Sequence, residues 1–260
     1  YFDRSFMTEP NLEDWLLIAN DIQNNITDTV IHKSIKTFPN NIYDSSGIEI
    51  ENKLKSRRDY LQKYAEDYYR FLSRTVDVVG TKEREKFEVV RKENGNTQIT
   101  VYAISDKKGK IKEQIYKREF KYDETKEIRL YGLNGNDLFH VDGRADKGIK
   151  VRIIAGKGND TIIDESKVSG FGKKTIIYDR KDKDNFISTS NETRLKLSRN
   201  SSVNEYNRKQ FKHNKIMPII WTGYNIDDGI FLGGGATFKR FNFRDSTIHN
   251  IKGNLSFQTG

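Results

Sequence analysis

The sequence predicts an α+β fold, with helices first and β-strands in the remainder of the chain. Three observations support this prediction: the hydrophobic period changes from 3.6 to two residues after about residue 80, a strand-turn pattern then repeats, and glycine-rich amphipathic strands follow. We divide the chain into three segments accordingly. They are a helical segment (1–80), a β-meander with a three-rung repeat (81–198), and a linker with the first strands of an incomplete β-barrel of the outer-membrane type (199–260).

Composition indicates a globular protein and excludes several kinds of chemistry. Hydrophobic residues make up 35% of the 260 residues and aromatic residues 12%, which is enough apolar surface for a core. The chain has no cysteine, so disulfides, thiolate metal sites and a cysteine nucleophile are excluded. The net charge of +9 comes from basic residues spread along the chain, so nucleic acid is not expected as a partner.

Both ends of the sequence suggest a piece of a longer polypeptide. The chain starts at Tyr1 without a signal-peptide core, and it stops at Gly260 within a strand pattern. No stretch approaches the ~20 apolar residues that a membrane-spanning helix needs. We therefore expect further sequence on both sides.

Three helices are predicted in the first segment. One begins after Asn11, where Asp14 completes a capping box, and a short one follows Thr27. Ser46 begins a second capping-box pattern, which predicts one long helix that continues to about Thr75 with an apolar stripe of helical period. We expect this long helix to lie as a strut across another unit.

Alternating apolar and polar residues predict a β-meander in the second segment. Its strands run from Phe87 to Arg91, from Thr97 to Ile104 and from Ile111 to Tyr122. Polar turns join them at residues 93–96 and 106–109. The charged residues of these strands are expected to form a solvated face of the sheet.

A strand-turn pattern recurs three times after the meander, with an offset of 23 residues. The repeats are Glu127–Gly132, Lys150–Ala155 and Gly172–Tyr178. With this offset Leu130, Ile153 and Ile176 fall in one apolar column, which predicts stacked rungs of a short β-solenoid. An antiparallel sandwich is the alternative.

The turns of the first two repeats resemble the glycine-aspartate nonapeptide of calcium-binding β-helices. Residues 132–139 and 155–162 keep the aspartate, Asp137 or Asp160, and each turn lacks one glycine. Glycine lets backbone carbonyls turn inward, and aspartate supplies negative charge for a hard cation. The third repeat has Asp179 with basic neighbours and no glycine, so at most one calcium site is expected, with Asp137 and Asp160 as candidate ligands. The alternative is that the turns close by Asx hydrogen bonds without metal.

The last segment has the pattern of membrane β-strands. Runs 219–224 and 230–238 flank a polar turn, and in the final run Ile251, Leu255 and Phe257 share one face opposite polar residues. A soluble sheet gives the same alternation in a single strand, but three glycine- and aromatic-rich strands in succession favour a barrel. Because a membrane barrel needs about eight or more strands, outer-membrane lipid and the remainder of the same polypeptide are the expected partners.

The sequence contains no catalytic or cofactor-binding motif. Its four histidines are far apart, and none stands in a motif for metal binding or nucleophilic catalysis. His140 follows the first glycine-aspartate turn, where a solvated position is favoured over a metal ligand. Asp227 and Asp228 form a carboxylate pair, but before Gly229 they are interpreted as a hairpin turn. No catalytic residue is therefore named, and the sequence leaves open whether the parent protein is an enzyme.

Several strings of residues resemble large Bacteroidetes outer-membrane proteins. The most specific are Leu130-Tyr131-Gly132-Leu133 and Asp227-Asp228-Gly229-Ile230-Phe231-Leu232-Gly233, and the likeness covers nearly the whole chain. Proteins of this kind end in a surface-antigen barrel of the BamA/TamA type, and many carry an exported calcineurin-like metallophosphoesterase domain upstream. The resemblance implies a periplasmic region that is joined to the start of an outer-membrane barrel.

The resemblance favours a structural and tethering function over catalysis by this chain. The metal-binding Asp, Asn and His motifs of the phosphoesterase have no counterpart in the sequence, so no catalytic residue is carried over. One alternative is a scaffold fragment of an exported metallophosphoesterase whose catalytic domain lies upstream. Another is a calcium-dependent binding module that uses Asp137 and Asp160.

Overall fold

The protein has a mixed α+β fold with several helices and three β-sheets. The computed structural model describes residues 2–105, 109–226 and 229–258, with the backbone alone at residues 225, 229, 231, 242 and 245–258. The chain separates into two compact units, residues 2–206 and 207–260. The helices and the first twelve strands belong to the first unit, and the last three strands form the second.

The first helices begin where side chains cap them. Helices α1, α2 and α3 span Phe2–Phe6, Leu12–Asn25 and Asp28–Ile35. Asn11 accepts the backbone N–H groups of Glu13 and Asp14, and the Asp14 carboxylate accepts the Asn11 N–H, so the predicted capping box is confirmed. Thr27 caps α3 through the N–H of Val30, as predicted. Helix α1 was not predicted from the sequence.

The predicted long helix is wrong at its start and in its continuity. Helical backbone already begins after Pro39, as a short helix α4 (Asn40–Ile42) that continues into a π-helical turn (Tyr43–Gly47). Ser46 therefore lies inside helical backbone, and its side chain caps nothing. Two helices follow, α5 (Ile48–Asp59) and α6 (Leu61–Ser73), separated at Tyr60. They pack on different partners, α5 on α3 and α6 on α2, which explains the break.

The centre of the first unit is a coil of parallel strands in two sheets. The first sheet has the order β1-β5-β7-β10-β12, and its strands are Thr75–Val79, Glu127–Tyr131, Lys150–Ile154, Thr175–Arg180 and Thr193–Ser198. The second contains β2, β6, β8 and β11 as parallel neighbours, which are Glu85–Arg91, Leu138–Ala145, Thr161–Asp164 and Phe186–Ser188. A two-residue strand β9 (Lys167–Val168) also pairs with β6. The chain alternates between the two sheets, as the solenoid prediction requires, and the parallel pairing excludes the antiparallel sandwich.

Parallel pairing stacks the apolar side chains of successive rungs inside the coil. Leu130 lies beside Ile153, as predicted, but Ile153 lies beside Ile177 and not beside Ile176. The third rung is offset by one more residue than the sequence alignment assumed, and a slip of one residue exchanges the two faces of a strand. Accordingly Ile177 is fully buried in the core, whereas Ile176 pairs with Arg152 on the opposite face.

The predicted β-meander is confirmed as an extension of the second sheet. Strands β3 (Thr97–Ile104) and β4 (Ile111–Phe120) pair antiparallel in the order β2-β3-β4. The second predicted turn falls mainly on residues 106–108, which lie outside the described residues. The connection between α1 and α2 contacts this extension, because the Tyr116 hydroxyl and the Arg118 guanidinium both donate to the carbonyl of Thr8, at 2.8 and 2.5 Å.

The second unit is a three-stranded antiparallel sheet. Its strands are β13 (Lys215–Asn225), β14 (Gly229–Asn242) and β15 (Asp245–Gln258), in sequence order. None of the three sheets of the described residues closes into a barrel. Within the same ranges, no helix combines the length and the hydropathy that a membrane span requires.

Candidate functional site

One corner of the parallel coil contains a row of carboxyl and amide side chains. Glu85, Asp137, Asp160 and Asn185 each stand at the start of a strand of the second sheet or directly before it. The parallel register aligns the residues that follow them, which are Lys86, Leu138, Thr161 and Phe186. We call the four side chains the carboxyl column.

Hydrogen bonds connect the members of the carboxyl column from rung to rung. The N–H of Glu85 donates to Asp137 Oδ1 at 2.9 Å, and the N–H of Asp137 donates to Asp160 Oδ1 at 2.9 Å. The N–H of Asp160 in turn donates to Asn185 Oδ1 at 2.8 Å. The side chains of Asp137, Asp160 and Asn185 therefore each satisfy a backbone donor of the neighbouring rung, while Glu85 Oε1 accepts the N–H of Thr81.

The carboxyl oxygens of the column that accept no hydrogen bond are buried in a tightly packed interior. Asp137, Asp160 and Glu85 are at most 1% exposed, and Oδ2 or Oε2 of each has no hydrogen-bond partner among the described residues. Room for the Asp137 carboxyl depends on Gly132, because a Cβ at that position would meet Asp137 Oδ2 and the carbonyl oxygen of Ala155. The interior at this corner is therefore filled by carboxyl groups in place of apolar side chains.

Burial raises the pKa of every carboxyl group in the column. It raises the pKa of Asp137 to about 9, with a further increase from the charges of Asp160 and Glu85, while the N–H of Glu85 and the charge of Arg84 oppose the shift. Burial also raises the pKa of Asp160 to about 7, assisted by the nearby Asp179 carboxylate, and it raises the pKa of Glu85. The column therefore favours protonated, neutral carboxyl groups, and its fourth member, Asn185, is a neutral amide in the same place.

Asp179 lies at the same corner on the third rung, at the end of β10 in the first sheet. Tyr178 pairs with Ile154, and Ile154 pairs with Tyr131. Asp179, the next residue, therefore stands level with Ala155 and Gly132, which are small residues in the two earlier rungs. The side-chain amide of Asn204 donates to Asp179 Oδ1 at 3.1 Å and also to the carbonyl of Gly156. Burial raises the pKa of Asp179 to about 6.

The second notable feature is an apolar face on the C-terminal sheet. Antiparallel register pairs Ile216 with Phe238, Thr222 with Leu232 and Tyr224 with Ile230, and directly opposite residues share a face. The exposed fraction is 79% for Ile220, 72% for Tyr224, 68% for Ile216 and 64% for Ile230. We call this surface the 216–238 face, and its apolar members are Ile216, Ile220, Tyr224, Ile230, Leu232 and Phe238.

The opposite side of the same sheet differs in packing. Trp221 lies on it over Gly233, where a Cβ would collide with the indole ring.

The backbone register of the 216–238 face continues into β15, where Ile251 pairs with Phe238 and Leu255 with Gly234. The predicted placement of the side chains of Ile251, Leu255 and Phe257 on one face lies outside the side chains that the structure describes.

The function of this chain has to be inferred from these two features. Comparison with protein-family models, with curated proteins and with solved structures gave no match. The resemblance to Bacteroidetes surface-antigen proteins thus stays an expectation from the sequence. The chemistry of the carboxyl column and the 216–238 face carries the inference instead.

The structure brings the two candidate calcium ligands together, and it adds residues that the sequence did not single out. Asp137 and Asp160 are joined by the N–H to Oδ1 hydrogen bond of the column. In the described ranges, no group of three or more His, Cys, Asp and Glu side chains is arranged to hold a metal ion. Sequence reasoning missed Glu85 and Asn185, although both stand where Asp137 and Asp160 stand, at the start of a strand of one sheet.

Calcium binding by Asp137 and Asp160 stays a prediction that calorimetry can test. Titration of the whole chain with calcium should release heat, and the double variant Asp137→Ala, Asp160→Ala should lose it. Chelation should in the same case lower the unfolding temperature of the parent chain. The absence of heat with a folded parent chain would eliminate the calcium-dependent binding module.

His32 and His140 form ion pairs away from the carboxyl column and the 216–238 face. His32 forms an ion pair with Glu51 at 2.9 Å on the helices, and His140 forms one with Glu165 at 3.2 Å on the coil. Both histidines are solvent accessible, so the solvated position predicted for His140 agrees with the structure. The side chain of His249 and the pair Asp227-Asp228 lie outside the described residues.

Proposed function

We propose that this chain is a structural and tethering part of a larger outer-membrane protein of the surface-antigen kind. In this proposal residues 2–206 form a periplasmic connecting region, and the three strands of the second unit begin a membrane barrel. Its partners are outer-membrane lipid and further strands of the same polypeptide. The observation that carries the proposal is the exposed apolar character of the 216–238 face.

The strands of the second unit have the length of membrane strands. β13, β14 and β15 contain 11, 14 and 14 residues. A tilted strand needs about 9–11 residues to cross the hydrocarbon core of a bilayer. All three strands are therefore long enough to span, and their hairpin connections suit the up-and-down order of a barrel wall.

The 216–238 face is the more exposed apolar face of the sheet, although Met217 and Ile219 on the opposite face are also 40% and 43% exposed. A soluble antiparallel sheet covers its apolar face and leaves its polar face in water. Here six apolar side chains spread over two paired strands stay more than 40% exposed, from Phe238 at 42% to Ile220 at 79%. Contiguous apolar surface of this kind indicates a membrane or protein contact.

The open edges of the three-stranded sheet are the reason that the proposal includes further strands. Among the described residues, β13 and β15 each pair with one neighbouring strand, so each presents one edge of unpaired backbone groups. Lipid offers these groups no hydrogen-bond partner, because only helices and closed barrels satisfy their backbone in a membrane. Further strands of the same polypeptide would complete the wall.

Cysteine labelling at two adjacent positions of β13 tests the proposal. The chain has no cysteine, so the single variants Ile220→Cys and Ile219→Cys each introduce one reactive group. In outer-membrane vesicles that carry the polypeptide, we expect a charged maleimide to label Cys at 220 at least about ten times more slowly than Cys at 219, because lipid excludes the reagent. Labelling rates measured by mass spectrometry report the difference.

The two labelled positions control for each other. They are neighbours in the same strand on opposite faces, so local unfolding would expose both equally. Full denaturation should remove the difference between them. Equal and rapid labelling at both positions in intact vesicles, or recovery of the polypeptide in the soluble fraction, would contradict the membrane assignment.

A further inference from the structure

The parallel coil ends in a rung whose interior side chains are left uncovered. Register places Val78, Leu130, Ile153, Ile177 and Leu195 in one column that runs through the first sheet. The first four are at most 3% exposed, whereas Leu195 is 45% exposed. Leu195 thus holds a core position that lacks the covering rung its predecessors have.

Other apolar side chains at the same end of the coil are also exposed. Leu197 on β12 is 37% exposed, and Phe186 on β11 is 61% exposed. At the opposite end of the first sheet, helices α1 and α6 contact β1, and Arg4 of α1 donates to the carbonyls of Leu72 and of Thr75, the first residue of β1. Repeat structures need a cap at each end, because every rung contributes only one half of each interface. The β12 end therefore offers an open strand edge together with an unfinished core.

Basic side chains mark the outer face of the same edge. Arg194 and Lys196 alternate with Leu195 and Leu197 along β12 and are exposed. Neither has an ion-pair partner among the residues that the structure describes. Lys and Arg outnumber Asp and Glu between residues 173 and 199, so the surroundings are basic as well.

We propose that the β12 edge binds an extended acidic segment of a partner protein, which adds one strand to the first sheet. Backbone groups of β12 pair with the segment, and its apolar residues cover Leu195 and Leu197. Acidic residues of the segment, at the positions that alternate with its apolar residues, stand directly opposite Arg194 and Lys196 in the strand pair.

A second copy of the chain does not fit this edge. Pairing two β12 strands would bring Arg194 and Lys196 of both copies together, and like charges on opposed strands are destabilising. Lysine on an edge strand is a common means of preventing such self-association. Charge complementarity thus selects an acidic partner.

Two labelled peptides and two forms of the whole chain test this proposal. One peptide contains Thr-Glu-Val-Glu-Val-Thr, and the other contains Thr-Lys-Val-Lys-Val-Thr. Fluorescence anisotropy should show the acidic peptide binding the parent chain at least about ten times more tightly than the basic one. The double variant R194E/K196E should reverse this preference, because it changes charge without touching the apolar positions.

Hydrogen exchange locates the bound peptide. The acidic peptide should slow amide exchange within Thr193–Ser198, and exchange within β4 at the far edge of the second sheet should stay unchanged. The far-ultraviolet spectrum of R194E/K196E should match that of the parent, which confirms that the variant is folded. Absence of binding, equal affinity for both peptides, or protection away from β12 would overturn the proposal.

Discussion

The substitution Asp137→Asn is expected to raise the free energy of unfolding of residues 2–206 by up to about 5 kcal/mol at pH 8. Burial raises the pKa of Asp137 to about 9, so the folded chain carries a proton there that the unfolded chain has released. Asparagine keeps an oxygen for the N–H of Glu85 and needs no proton. Denaturant unfolding of the parent and variant chains at several pH values measures the effect.

The sign of this pH dependence follows from the raised pKa. A carboxyl group whose folded pKa exceeds its unfolded pKa favours folding most at low pH, and that contribution is lost as the pH rises towards the folded pKa. The parent should therefore lose stability between about pH 4 and pH 9, through Asp137 and, at lower pH, through Asp160 and Asp179. The advantage of Asp137→Asn should shrink towards pH 4.

The exposed residue Asp146 supplies a matched control on the same coil. Asp146→Asn makes the same chemical substitution outside the column, and the gain in stability expected for Asp137→Asn at pH 8 should be absent from it. Asp137→Ala should destabilise at low pH by roughly 1–3 kcal/mol, because the N–H of Glu85 is then buried without a partner. A variant Asp137→Asn that is less stable than the parent at pH 8 would contradict the protonated column.

The substitution Gly158→Ala is expected to have the second large effect, a loss of roughly 3 kcal/mol or more of unfolding free energy. Gly158 has a φ of +151°, and a Cβ on it would collide with the carbonyl oxygen of Gly135 on the neighbouring turn. The obstructing oxygen belongs to the backbone of the stacked turn, so no side chain can move aside to relieve the collision. Thermal unfolding of the two chains at one pH reports the loss.

The variant Gly172→Ala measures the cost of a positive φ without the cost of a steric collision. Gly172 also has a positive φ, of +82°, but a Cβ there would meet nothing within 4 Å. Its replacement should cost only the conformational penalty of about 1–2 kcal/mol. If both variants lose the same stability, close stacking of the two turns is not what requires glycine at position 158.

Local signals predicted individual elements well where one side chain decides the outcome. The Asn11 capping box and the Thr27 cap each use hydrogen bonds within four residues, and both starts were predicted correctly. The Ser46 box has the same signature, but helical backbone begins earlier, after Pro39. Such a pattern can start a helix only where no helix already runs.

The repeat was predictable in kind, while its exact register was not. An offset of 23 residues correctly aligned Leu130 with Ile153, since both rungs have equal lengths. The third rung pairs Ile177 with Ile153 because the preceding connection contains one residue more. The connection before β10 contains the fully exposed Phe171. Because this connection does not pack in the core, the spacing of buried residues within the strands does not reveal its length.

The sequence by itself determined the class of most elements: helices in the first segment, strands after residue 80, and an aspartate in two successive turns. It could do so because hydrophobic period and capping depend on neighbours along the chain. It missed helix α1 and strand β1 (Thr75–Val79), which lies within the segment predicted to be helical. Only the tertiary structure decided that Glu85, Asp137, Asp160 and Asn185 form one buried column, and that Leu195 ends a core column in the open. Both depend on the register between strands far apart in sequence, because pairing decides which side chains become neighbours and whether water reaches them.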